Sequence, residues 1–258
     1  MEFHPTYDEY RSILGNIIKT GKLCDYIEAK PDSEFIILRH DIEFSIERAL
    51  AMAEIEHGMG VRSTYFVQIR SNAYNPYSLK NVAMLLQMHE MGHHIGLHYH
   101  IGSSMNPDVV TEEIRQQCKQ LEAMLGISAD RYSMHRPQKE TLYYATAIPG
   151  LINAYGPDYF TFAEELDEHS VLRVKYISDA KHRWNYGIPD PETMQNTPRI
   201  QLLIHPDFWS ESTPEMRDNF GALIREHSLV FMDTMDNECH HFGEFRSSFE
   251  SLISDKPL

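Results

Sequence analysis

Cysteine is scarce in this chain of 258 residues: three, at positions 24, 118 and 239, far apart and odd in number. That excludes a disulfide-built scaffold and fits a reducing compartment. Cys118 falls inside a helical pattern and is expected in the core. Long apolar runs are missing as well. No stretch approaches the roughly 20 residues that a membrane-spanning helix needs, so no membrane partner is expected. The N-terminus, Met1-Glu2-Phe3-His4-Pro5, lacks the basic-then-apolar order of a secretory leader, and a cytoplasmic location is the expectation. Positive charge is short too, with 23 Lys and Arg against 38 Asp and Glu, a net charge of −15. Nucleic-acid binding rests on neutralising phosphates, so a nucleic-acid partner is excluded. There is no Gly-rich phosphate loop of the dinucleotide or Walker kind. There is also no internal repeat and no low-complexity linker. One domain over 1–258, with a core at about 34–230, is therefore the economical reading. Histidine is the abundant residue, at 15 copies.

The stretch Phe35-Ile36-Ile37-Leu38-Arg39-His40-Asp41-Ile42-Glu43-Phe44-Ser45 organises what remains. A short apolar run bounded by polar residues reads as a buried strand at 35–40. Side chains alternate across a strand, which puts Asp41 and Glu43 on one face and His40 and Ile42 on the other. Ser45 is placed to cap a helix to about His57, with Gly58 as its stop. Before it, residues 6–21 form an amphipathic helix through Tyr10, Ile13, Leu14, Ile17 and Ile18. After it, strands at 62–69, 94–100, 131–135, 151–155, 171–177 and 199–205 alternate with helices at 78–91, 106–125 and 139–146. The helical face Ile114, Cys118, Leu121 and Leu125 has the spacing of core-facing positions. Helices near 213–227 and 234–254 close the chain, and 156–170 and 180–198 are loop-rich. Strands alternating with helices imply a parallel sheet. About seven of them in this length suit an α/β barrel better than an open sheet.

Unusual residues fall at the carboxyl ends of these strands: Asp41 and Glu43, His98 and His100, His135 and Arg136, Asp179, and His205. In a β/α barrel those ends share one face. A single such histidine is more often a satisfied core residue, but several strands each delivering an acid or histidine to one rim point to a shared site. A carboxylate with two imidazoles is a usual ligand set for a catalytic divalent ion. Such an ion activates water and polarises a carbonyl, while a second carboxylate and another histidine move protons. Asp41, Glu43, His98, His100 and His205 together can supply these roles. Trp209 and Phe208 are open between a sugar-stacking platform and a plug for the barrel end.

Arg39-His40-Asp41-Ile42-Glu43, Gly92-His93-His94-Ile95-Gly96-Leu97-His98, His135-Arg136-Pro137 and Leu203-Ile204-His205 resemble, in order, the motifs of the polysaccharide deacetylase superfamily. This is the NodB-like group, carbohydrate esterase family 4 and its relatives, and the resemblance is to a divergent bacterial branch. It covers about residues 35–209. It implies a distorted (β/α)7 barrel and deacetylation of a sugar by a metal bound through Asp-His-His. By position, Asp41 resembles the catalytic base, Glu43 stands at the metal-binding aspartate, and His98 resembles the first metal histidine. Arg136 stands at the arginine of the third motif, Asp179 with Trp184 loosely resembles the fourth, and His205 resembles the catalytic acid. Two departures stand out. Glu43 replaces aspartate, and Gly102 occupies the place of the second metal histidine. His100 is the expected substitute, with His135 as another candidate and His94 a weaker one.

The expectation is a metal-dependent deacetylase-like hydrolase, with zinc as the metal. Asp41 and His205 are catalytic, Glu43, His98 and His100 hold the ion, and His135, Arg136, Asp179 and Trp209 meet substrate. The substrate is an N- or O-acetylated sugar or a sugar-derived small molecule or oligosaccharide, for which the resemblance suggests surface-polysaccharide biosynthesis. Two alternatives remain beside it: a catalytically silent carbohydrate-binding barrel, and a metal-dependent amidase on a non-sugar amide.

Overall fold

The computed structural model describes Phe3 and residues 5–102, 104–137, 148–161, 173–212 and 215–254. Seven strands form one sheet: β1 (Phe35–Ile42), β2 (Thr64–Val67), β3 (His94–His100), β4 (Arg131–His135), β5 (Ile152–Asn153), β6 (Lys175–Ser178) and β7 (Arg199–Ile204). Their order is β5-β4-β3-β2-β1-β7-β6, and every pairing is parallel. The helices described with them are α1 (Tyr7–Thr20) before β1, α2 (Ile46–Gly58), α3 (Leu79–Glu90), α4 (Pro107–Leu125) and α5 (Pro191–Asn196) between strands, and α6 (Met216–Glu238) and α7 (Arg246–Ser254) after β7. None is long and apolar enough to cross a membrane.

The caps fall where their chemistry requires. Ser45 accepts from Arg48 N at 3.2 Å and starts α2. Asn106 with Pro107 starts α4, and Gly126, at φ 69°, ends it in the left-handed conformation that a side chain disfavours. Ile114, Cys118, Leu121 and Leu125 are buried, as their spacing predicts.

All eight residues of β1 are buried, as both faces of a covered parallel sheet must be. Outward, Ile36 and Leu38 pack with Tyr10, Ile13, Leu14 and Ile17 of α1. Inward, Phe35 and Ile37 join Tyr26, Phe66, Ala154 and Val174 in an apolar plug. The inward column then turns polar at Arg39 and Asp41. The strand thus has an apolar foot and a charged head.

The sheet curls into the expected distorted barrel. Arg39 Nη2 on β1 reaches Tyr155 Oη just past β5 at 2.8 Å. Gln201 Nε2 on β7 donates to the Ala154 and Tyr159 carbonyls, both at 2.8 Å. Phe160 stacks edge-on against Tyr176 of β6, with ring centroids 5.2 Å apart. Side chains thus span the gap between β5 and β6, strands that do not pair with each other among the described residues.

Three expectations need correction. Asp190-Pro191, an N-cap followed by proline at the first helical position, opens α5 inside a segment read as loop. The helix expected to break at 228–233 runs unbroken as α6 to Glu238. Ser228-Leu229-Val230-Phe231-Met232-Asp233 contains neither Gly nor Pro, so nothing there stops it; the break comes at 239–245. β6 is shorter than the strand read at 171–177, of which residues 171 and 172 lie outside the described residues. The helix read at 139–146 lies outside them as well.

Candidate metal and acid–base site

The site forms where the carboxyl ends of β1, β3, β4, β6 and β7 meet. Asp41 ends the inward column of β1, and Glu43 follows one step past the strand. His98 on β3 stands in register with Ser133 on β4, and His100 with His135.

Three donor atoms converge. Glu43 Oε1 lies 2.8 Å from His135 Nδ1 and 3.6 Å from His98 Nε2. The two nitrogens are 3.2 Å apart. Among the described residues this is the one group of three such side chains with all ligand atoms within 4.8 Å of one another. A tetrahedral ion with bonds of about 2.0–2.1 Å needs donors roughly 3.3 Å apart. Two imidazoles and a carboxylate with that spacing fit zinc or a similar divalent ion and leave one position open. Burial disfavours the Glu43 carboxylate, yet the hydrogen bond from His135 and the nearby His98 and His205 imidazoles hold its pKa well below the ordinary range.

His135, rather than His100, completes the set. His100 is exposed, with its ring edge-on to His135 at 4.9 Å between centroids. Alternation put His100 on the side of His98, but the strand ends there and the side chain leaves the barrel. Gly102 is exposed beyond the strand, next to Glu113. His135 was expected against substrate; the structure brings it against Glu43 and His98 instead.

Asp41 lies behind His98. Arg39 Nη2 donates to its Oδ2 at 3.0 Å and Ser133 Oγ to its Oδ1 at 3.1 Å. Burial raises its pKa, but Arg39, then His98 and His205, outweigh that and keep it below the usual carboxylate value. The arginine that meets this carboxylate is therefore Arg39. Arg136 is exposed, with φ 48° at the end of β4.

His205 follows β7 directly, and its charge is felt by both Glu43 and Asp41. Asp179 Oδ1 accepts from His205 Nδ1 at 2.6 Å, and both Asp179 oxygens accept from the His205 amide, at 3.1 and 3.0 Å. Trp209 Nε1 donates to Asp179 Oδ2 at 2.9 Å. Burial works against the imidazolium, but Asp179, followed by Glu43 and Asp41, raises the His205 pKa to about 9. Asp179 and Trp209 were expected against substrate, and that is corrected. Both are 0% exposed. Trp209 packs against Phe3, Tyr10 and Trp184 in the apolar layer under α1, while its N–H steadies Asp179.

Three residues beyond the expected set shape the site. Arg39 had a signal: a charge inside an apolar strand, two residues before Asp41 and so on its face. Ser133 had none, because only the β3–β4 register joins it to His98. Asp207, two residues past His205, accepts from the amides of Glu43, Phe44 and Ser45 at 3.0, 3.1 and 2.7 Å. It thereby ties down the backbone that carries Glu43. Its own pKa is raised to about 7 by burial, against those amides.

No family model and no curated protein matches this chain. Solved structures resemble it at low identity. A carbohydrate esterase family 4 pseudoenzyme from Bacillus anthracis is 13% identical over 78% of this chain and 63% of its own, with a TM-score of 0.46. The match thus spans less than two thirds of that protein. A family 4 carbohydrate esterase from the same organism is 16% identical over 86% of each chain, with a TM-score of 0.43. A family 4 acetyl xylan esterase from Clostridium thermocellum, in complex with a cobalt ion, is 14% identical over 66% of this chain and 73% of its own, at 0.37.

Proposed function

We propose that this protein is a metal-dependent hydrolase of the polysaccharide deacetylase type, removing an acetyl group from an acetylated sugar or sugar-derived small molecule. The observation that carries this reading is the convergence of Glu43, His98 and His135 on one point, with the Asp179-bound His205 beside it. The motif order of the sequence supplies the substrate class.

A divalent ion held by Glu43, His98 and His135 would polarise the acyl carbonyl and activate water. The chain's own groups handle the protons. Water adds to the acyl carbon, and Asp41 accepts its proton. The Asp41 oxygens each keep a lone pair beyond those used by Arg39 and Ser133. The bond from carbon to the sugar nitrogen or oxygen then breaks. His205, tied at Nδ1, gives the proton of Nε2 to the leaving group, and acetate remains. A histidine with a pKa of about 9 is charged at neutral pH and suits an acid.

The silent-binder reading keeps one specific observation in its favour. Asp41 is 2% exposed and both of its oxygens are engaged, which makes for a weak base. Gly102 no longer supports that reading, because His135 supplies the third donor.

The deciding experiment is acetate release from a panel of N- and O-acetylated sugars by zinc- or cobalt-loaded protein, with Asp41→Asn and His205→Ala as controls. Turnover that both substitutions abolish, with the fold kept, establishes the hydrolase. Metal binding with no release from any substrate moves the binding protein into first place.

A further inference from the structure

Ser133 is fully buried on β4 and stands in register with His98 on β3. Its Oγ lies 2.7 Å from His98 Nδ1 and 3.1 Å from Asp41 Oδ1. The direct distance from His98 Nδ1 to Asp41 Oδ2 is 3.7 Å, beyond hydrogen-bond reach. The hydroxyl is therefore the link between the two.

Counting protons gives the link a direction. A hydroxyl carries one proton, and an ionised carboxylate only accepts. Asp41 is ionised, with the Arg39 guanidinium on its other oxygen. The Ser133 proton therefore points to Asp41. What Ser133 offers His98 is a lone pair, so His98 Nδ1 carries the proton. Nε2 is left bare, and Nε2 is the atom that faces Glu43 Oε1 and His135 Nδ1.

We infer that Ser133 is a positioning residue that couples Asp41 to the ligating nitrogen of His98. The carboxylate orients the hydroxyl, and the hydroxyl selects the imidazole tautomer. The inference rests on the metal-site reading above. It gives Asp41 a second task besides proton transfer: it prepares a ligand of an ion that it does not itself touch. Outer partners of this kind orient a metal-bound histidine and raise its basicity.

The test is cobalt(II) affinity by titration calorimetry on the full-length protein, for wild type, Ser133→Ala, Ser133→Thr, Asp41→Asn and the Ser133→Ala/Asp41→Asn double variant. Loss of an outer-sphere partner weakens metal binding about 10–100-fold, and this is expected for Ser133→Ala and for Asp41→Asn, although neither removes a donor atom. Ser133→Thr, which keeps the hydroxyl, stays close to wild type. The double variant binds no more weakly than Ser133→Ala, because the path is already cut. Wild-type affinity in Ser133→Ala overturns the inference. So do additive losses in the double variant, which would assign the effect of Asp41 to its charge acting through space. If Ser133→Ala does not fold, nitrogen-15 NMR of the metal-free wild type decides: a proton on His98 Nδ1 is expected, and a proton on Nε2 overturns the inference. A wild type that binds neither cobalt nor zinc sinks the metal-site reading itself. That outcome is distinct from a wild type and a Ser133→Ala variant that bind equally well.

Discussion

Arg39 and Asp41 pair on one strand, two residues apart and 3.0 Å from nitrogen to oxygen, with neither side chain more than 3% exposed. Period-two alternation makes the pair possible, and the curl of the sheet encloses it. Gln201 and Tyr155 take further bonds from the same guanidinium. Burying two charges is costly, and removing one partner leaves the other uncompensated, which typically costs about 3–5 kcal/mol. Arg39→Met is expected to lose stability on that scale in urea denaturation. Arg39→Met/Asp41→Asn is expected to lose less than Arg39→Met alone, because no unpaired charge remains.

The two histidines at the β3–β4 rim separate cleanly. His135→Ala removes a donor and is expected to abolish stoichiometric zinc, measured by elemental analysis of protein purified without chelator. His100→Ala is expected to keep it. The reverse result would restore the ligand set that alternation along β3 alone suggests.

His205 sets a pH limit. Its folded pKa, about 9, stands above the ordinary value near 6.5. The cation is therefore the form that the fold favours. The stability it contributes is fully present below about pH 6.5 and is lost as pH rises through about 9. The acid is present over the same range, so kcat is expected to fall above about pH 9. Asp179→Asn weakens the main support of the cation and is expected to move that limb toward neutrality, which a pH–rate profile reads directly.

Asp207 holds three successive amides ahead of α2. Asp207→Ala orphans them, at about 1–3 kcal/mol for each buried group left unsatisfied. A drop of at least about 3 kcal/mol in chemical denaturation is expected on that basis. Metal binding should weaken too, because Glu43 sits on the freed backbone. Asp207→Asn keeps one acceptor oxygen and is expected to fall between Ala and wild type.

The elements were largely legible because they rest on local rules. The run Phe35–Leu38, the Ser45 cap, the Asn106-Pro107 start and the i, i+4, i+7 face of α4 depend on neighbours a few residues away. Sequence reading went astray where no local signal decides. Ser228–Asp233 carries no breaker and no cap, so its continuation rests on the packing of α6, and the Asp190-Pro191 start is a two-residue signal inside a stretch otherwise without periodicity.

The sequence by itself determined that acids and histidines would gather at the carboxyl ends of parallel strands, because period-two alternation and strand–helix order are one-dimensional facts. It placed Asp41 and Glu43 on one face, and His98 and His205 at the same rim. Only the tertiary structure decided which residues meet. His135 rather than His100 joins Glu43 and His98: the two stand side by side at the ends of β4 and β3, but His135 is buried against Glu43 and His100 is exposed. Ser133 links His98 to Asp41, and Trp209 is buried against Asp179 rather than open to a sugar. Each of these is a contact between segments far apart in the chain, set by register and curvature, which no local pattern encodes.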